Sequence, residues 1–360
     1  MTTNQVLRGG LAALAGIFLC TVSFSAPAAQ LRILQTNSAG DNINIIDPAT
    51  NKVVGEIKGI EANHGIAVSP DGSRIYVSVE SIEKSLYVVD GKTLQVIKKI
   101  PLSGVANLID LTPDGRTLYV AIAQEWDDLT AFPQVKAQPN GGVDVIDTAS
   151  LEKIKSIPLK GGIHDLNVTP DGKYVIAGSS RGAKPPSNMM DVIDTKTNEV
   201  ARTVSVSPSP SPMAITKKAD GSTDKIYAQN TRHGFSVIDF DTHVQTNFIN
   251  LPDIPAAQQN PFGGVSHGMA ITSDQKTLVI DSSKNSTLYA YSLPDLKLLG
   301  GAALGGKGAN WVTISPDDKT AYVANPQTND VSVVDIKSLK EVARVPVGFA
   351  PSRNTAWLAA

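Results

Sequence analysis

Apolar and polar positions alternate with a period of two in short runs along nearly the whole chain, and one recurring turn separates the runs. In His64-Gly65-Ile66-Ala67-Val68, the residues Ile66 and Val68 alternate with smaller neighbours; Ser69-Pro70-Asp71-Gly72 interrupts them, and Arg74-Ile75-Tyr76-Val77 resumes the alternation. Proline presets φ for such a turn, aspartate bonds the backbone ahead of it, and glycine accepts the positive φ that closes it. The same strand–turn–strand unit recurs at 107–115, 164–172, 267–275 and 310–318. In all five units the first residue stands seven positions before the turn aspartate (Asp71, Asp114, Asp171, Asp274, Asp317). A period this regular sets the organisation of the chain before any local propensity is weighed.

Each unit continues into a third and a fourth run. After Tyr76-Val77 come Leu86 to Asp90 and then Leu94 to Ile97, and the third run usually ends in aspartate, as at Asp47, Asp90, Asp147, Asp194, Asp239 and Asp335. These aspartates open turns such as Asp147-Thr148-Ala149-Ser150, where the carboxylate bonds local backbone, and they are expected to be structural rather than catalytic. First strands start near 63, 106, 163, 211, 266 and 309, with a seventh over 351–359 that has no partner after it. The N-terminal runs Leu31 to Gln35, Ile43 to Asp47 and Val53 to Ile57 supply the missing second, third and fourth strands. The pattern predicts an all-β fold, a seven-bladed β-propeller of four-stranded antiparallel blades, with the last blade closed by N- and C-terminal strands and 29–360 forming one domain. Closing the ring in this way removes exposed edges. The fourth unit departs most, since Lys217 to Asp224 replaces the Pro-Asp-Gly turn.

Arg74-Ile75-Tyr76-Val77, Thr117-Leu118-Tyr119-Val120 and Ala321-Tyr322-Val323-Ala324-Asn325, with Asn329 to Asp335 and Val342 to Gly348, resemble the YVTN-repeat family of β-propellers over roughly 31–360. The resemblance carries the fold; propellers of this kind serve binding, structural and enzymatic roles. It also implies that first strands line a central channel, and that the loops entering them share one face with the loops joining second to third strands. Three connections are longer than the repeat needs: Gln124 to Gly141, Ser180 to Met189 and Leu251 to Val265. Long loops on a rigid ring are common carriers of function.

Composition narrows the partners. The 360 residues carry a formal charge of −2 with no Lys/Arg run, which makes nucleic acid and anionic membrane poor partners. Residues 1–28 read as a secretory signal peptide: Arg8, an apolar run from Leu11 to about Val22, and small residues at Ala26-Pro27-Ala28. No membrane span is expected after its cleavage, and the expected location is periplasmic or secreted. The single cysteine, Cys20, lies inside this segment behind a bulky Leu19 unsuited to lipoprotein cleavage. The mature chain then has no disulfide or thiolate, and a metal site would use His, carboxylate or carbonyl groups.

Mapped onto the implied ring, His64, His164 and His267 hold one register position, where a first strand begins at the channel mouth, on blades one, three and five. Asn107 and Asn310 hold it on blades two and six, and Ser211 and Arg353 fit it on blades four and seven. Of five histidines, three in equivalent positions point to a site. Neutral imidazoles converging on an axis could hold a metal ion, copper first in an oxidising compartment, or zinc or iron, with a position left for substrate. His233, in a second-to-third loop on the same face, and Glu80, Glu125, Asp281 and Arg181, which follow second strands, are candidate catalytic groups. Arg353, Asn107 and Asn310 are candidate cofactor contacts. Trp126 could cover the funnel, while Trp311 is expected between blades. The Gly-rich pieces near 300–306 precede no helix, so they are not phosphate loops. The leading expectation is a metal-dependent oxidoreductase or hydrolase acting on a small molecule or peptide at the channel mouth. The rival is a non-catalytic propeller that binds a protein, a peptide or a haem-type tetrapyrrole.

Overall fold

The computed structural model describes residues 1, 30–124, 141–159, 162–179, 188–206, 211–229, 233–261 and 266–359. Residues 2–29, read above as a leader, and Glu125, Trp126 and Arg181 therefore lie outside the described residues. Among the described residues, twenty-eight strands, β1 to β28 in chain order, form seven four-stranded sheets. Within a sheet consecutive strands are antiparallel neighbours, as in β4 (Asn63–Val68) and β5 (Arg74–Val79) of blade one. The first strands of blades two to six are β8 (Val105–Leu111), β12 (Ile163–Val168), β16 (Ser211–Lys217), β20 (Met269–Ile271) and β24 (Trp311–Ile314). Blade seven joins β28 (Pro351–Ala359) to β1 (Gln30–Asn37), β2 (Asn42–Asp47) and β3 (Lys52–Lys58), so both chain ends build one sheet as expected. Each first strand packs on the first strand of the next blade, from β28 to β4 and onward through β24 back to β28, which closes the ring.

The turn chemistry holds each hairpin. At Asp71 the carboxylate accepts from Ser73 N at 3.0 Å and Ser69 Oγ at 2.6 Å, while Gly72 takes φ 72°. Hydrogen bonds from Ser69 and Ser73 pull the Asp71 carboxyl down to about 2. The third-strand aspartates act as predicted: Asp147 accepts from Ser150 N at 2.7 Å, and Asp90 from Thr93 N at 2.7 Å. The irregular fourth unit pairs Ser211 with Gln229 but shifts register twice, between Pro212 and Ala214 and between Ile215 and Lys217, and its wider turn closes through Lys218 N to Ser222 O at 2.7 Å. One boundary moves. Leu94 is a turn residue at φ 58° packed on the apolar cluster between blades seven and one, and the fourth strand begins at Val96.

The core is divided among the blade interfaces. Each of seven apolar clusters draws on two neighbouring blades: Tyr76, Leu86 and Val88 of blade one meet Leu118, Val120 and Ile122 of blade two, and Ile33 and Ile46 of blade seven meet Tyr322 and Val331 of blade six. Blades are therefore held by burial against both neighbours, and none has a core of its own. Among the described residues, no helix is long and apolar enough to cross a membrane.

Blades two and three are also joined by a carboxylate. Asp110 on β8 accepts from Leu111 N at 2.9 Å and from Val168 N on β12 at 2.8 Å. Burial pushes this carboxyl up to about 6, against the downward pull of both N–H groups. A carboxyl raised on folding adds stability below its unfolded value and loses it as pH rises through its folded value. The loss expected here is on the order of 3 kcal/mol at most. Unfolding free energies measured from pH 4 to 7 should show Asp110→Asn gaining steadily on the wild type; a constant difference between the two would refute the assignment.

Candidate functional site

Strand geometry is irregular at the repeat's first position. In an undistorted strand successive side chains face opposite ways. Here the register between first and second strand slips at that position in four blades, between Asn63 and Ile66, Ala106 and Ile109, Ile163 and Asp165, and between Gln35 and Asn37 opposite β28, and in blade four it slips just beyond Ser211, between Pro212 and Ala214. Such bulges re-aim side chains. At His164 the bulge brings two consecutive residues together, and His164 Nδ1 meets Asp165 Oδ2 at 2.5 Å.

Glycines after two of the histidines let neighbouring blades close in. A Cβ at Gly268 would lie 2.5 Å from the Trp311 Cα of the next blade, and one at Gly65 would collide with Asn107 O. Second-strand side chains then satisfy the backbone that is crowded there. Ser78 accepts from Gly65 N at 3.0 Å and donates to Asn107 O at 2.5 Å. Thr36 accepts from Arg353 N at 2.9 Å and donates to His64 O at 2.9 Å. Asp281 does the same for blade five: fully buried within β21 (Thr277–Ser282), it accepts from His267 N at 2.9 Å and Gly268 N at 2.8 Å. Asp281 is thus inside a strand rather than at the rim, and both its oxygens hold the backbone of the histidine position.

The three histidines do gather, and Arg353 stands among them. The rings of His164 and His267 are 5.3 Å apart, edge to face. Arg353, 1% exposed, directs Nη1 to His267 Nδ1 at 3.5 Å and Nη2 to Asn107 Oδ1 at 3.4 Å. Nη2 also lies 3.6 Å from the buried Asp165 Oδ1, and the guanidinium carbon sits 4.1 Å from the centre of the Trp311 ring. Trp311 therefore supports the arginine as well as packing between blades. His64 completes the group, with Nε2 3.4 Å from Ser352 Oγ and 3.6 Å from Glu80 Oε2. Burial, the Arg353 charge and His164 together hold the His64 imidazole well below its usual value, so it is neutral near pH 7.

These contacts set tautomers. A carboxylate only accepts, so His164 carries a proton on Nδ1. A guanidinium only donates, so His267 accepts at Nδ1. His164, with 17% of its side chain exposed, is more open than His64 or His267. Among the described residues, no group of three or more His, Cys, Asp or Glu side chains is placed so that it could hold a metal ion.

The other candidates divide. Glu80 faces the mouth, 47% exposed, and accepts from Asn107 Nδ2 at 3.3 Å. His233 is engaged with Ser282 Oγ at 2.7 Å, and burial followed by the nearby Lys284 charge lowers its pKa. Asn310 donates its backbone N–H to Ala324 O at 3.0 Å. Glu125 and Arg181 lie outside the described residues. Sequence reasoning missed Asp165; the available signal was that blade three has an acid where blades one and five have glycine after the histidine.

No family model and no curated protein matches the chain. Solved structures do. The chain is similar to Kuenenia stuttgartiensis hydrazine synthase (22% identity, TM-score 0.68, covering 88% of this chain and 99% of that one). It is similar to the periplasmic gluconolactonase of Pseudomonas aeruginosa (18% identity, TM-score 0.68, covering 92% and 100%). It also resembles a dihydro-heme d1 dehydrogenase (19% identity, TM-score 0.64, covering 92% and 76%). The fold is a seven-bladed β-propeller. At these identities the likeness establishes the propeller architecture and leaves its chemistry to the site.

Removing one partner of a buried ion pair strands the other. Arg353→Leu is expected to cost about 3–5 kcal/mol in urea unfolding, because Asp165 loses a buried counter-charge. The double variant Arg353→Leu/Asp165→Asn should recover a large part of that loss. Strictly additive costs would show that the pair is not coupled.

Proposed function

We propose that the channel mouth is an acid–base site that hydrolyses a small carbonyl substrate, an ester or lactone, with His164 as the proton-transfer group. The observation that carries this reading is the His164–Asp165 contact beside the buried Arg353 guanidinium. Asp165 holds the imidazole with Nε2 as the free base, and the positive charge beneath favours negative charge building up at the mouth. In the reaction, Nε2 takes a proton from water as the water oxygen bonds to the carbonyl carbon. The carbon–oxygen bond to the leaving group then breaks, and the departing alkoxide takes the proton back from His164. The products are an acid and an alcohol, joined as one hydroxy acid when the substrate is a lactone.

The metal reading draws on the same three histidines, copper before zinc or iron. It is less well supported, because an ion at their centre would share a low-dielectric pocket with the Arg353 cation, and because His267 Nδ1 already faces that cation. The chain is further read as a YVTN-repeat propeller working in the periplasm or outside the cell. Support comes from the leader-like 1–28 and the repeats around Tyr76, Tyr119 and Tyr322.

A γ-lactone is a suitable first substrate, and one fold neighbour is described as a gluconolactonase. Proton release should be catalytic in the wild type and fall about 10²–10⁴-fold in His164→Gln, with a large loss in Asp165→Asn, whose amide no longer fixes the tautomer. Elemental analysis of the same preparations decides against this reading if stoichiometric copper, zinc or iron is present and disappears in His164→Ala. Metal-free, inactive protein that gains a Soret band with added haem would favour the tetrapyrrole-binding alternative.

A further inference from the structure

Glu80 is a carboxylate that the fold has fixed in place and left half open. One oxygen accepts from Asn107 Nδ2 at 3.3 Å, and the other lies 3.6 Å from His64 Nε2. Both partners occupy repeat positions at the channel mouth and are themselves buried, at 1% and 6% exposure, so Glu80 is held from beneath by rigid groups while 47% of its side chain faces outward. Other carboxylates near the site are consumed: Asp165 by His164 and Arg353, and Asp281 by two backbone N–H groups. Asn107 also links opposite charges, donating to Glu80 through Nδ2 and accepting from Arg353 Nη2 through Oδ1. The mouth therefore has two poles, a positive one over Arg353 and a negative one at Glu80, linked by one amide.

We propose that Glu80 is a specificity residue, and that the substrate carries a hydrogen-bond donor, a hydroxyl or an ammonium, next to its carbonyl. This rests on the acid–base reading of the same site. An exposed carboxylate with two preset partners has lone pairs left to accept, and a donor on the substrate uses them without reorganising the protein. A substrate lacking the donor leaves that carboxylate partly desolvated and unanswered, and discrimination comes from that difference. Hydroxyl and ammonium share this chemistry but differ in charge, so they can be separated by experiment.

Three matched lactones differ only in this group: γ-butyrolactone, its α-hydroxy derivative and its α-amino derivative. Wild type should favour at least one of the substituted lactones over the bare one by about tenfold or more in kcat/KM, the worth of one charge-assisted hydrogen bond. Glu80→Ala should shrink that ratio to less than about threefold. Glu80→Gln, a neutral acceptor, should keep a hydroxyl preference and lose an ammonium one, which identifies the donor. Equal rates for all three lactones in the wild type, or a preference that Glu80→Ala leaves intact, would overturn the proposal while leaving the hydrolytic reading standing. If no lactone is hydrolysed, titration calorimetry with butyrate, 2-hydroxybutyrate and 2-aminobutyrate tests the proposal separately. A Glu80-dependent preference among these carboxylates upholds it without hydrolysis, and no preference sinks it.

Discussion

A guanidinium almost wholly withdrawn from water must be answered by the groups around it, and that requirement orders the centre of this ring. Arg353 reaches from blade seven to Asn107 on blade two, Asp165 on blade three, His267 ahead of β20 on blade five and Trp311 on blade six. Its charge is balanced by a carboxylate, spread over an aromatic face and hydrogen-bonded to neutral acceptors, which is how a buried cation is tolerated. The same charge helps keep His64 unprotonated. One side chain thus touches groups from four other blades.

Much of this was legible in the sequence. The strand–turn–strand unit located five of the seven first strands, because its turn and its two-residue alternation are local and specific, and counting strands supplied the fourth and the seventh. The register argument that put His64, His164 and His267 at equivalent positions has a counterpart in the edge-to-face contact of the His164 and His267 rings. The ring closure from both ends followed from counting strands.

What was not legible depends on tertiary geometry. Asp165 follows His164 directly, and ordinary strand alternation sends such neighbours to opposite faces; only the bulge brings them together. Asp281 reads as a rim acid because it lies near the end of a second strand, yet the crowding of backbone at Gly268 turns it inward as an acceptor. Arg353 was counted as one cofactor contact among several. Its length, which lets it bridge several blades, has consequences only once the ring is closed. The expected metal centre came from the identity of the three histidines, and sequence could not show that a cation of the protein's own stands among them.

Blade seven gives the site an unusual relation to the synthesis of the chain. Arg353 and Ser352 lie on β28, the strand made after the other twenty-seven, and that strand closes the circle by pairing with β1. While the ribosome still holds this segment, the histidines and Asp165 lack the Arg353 guanidinium. Circularisation therefore also seats the guanidinium, so a chain that stalls or is clipped before β28 would have neither a sealed ring nor the Arg353 contacts.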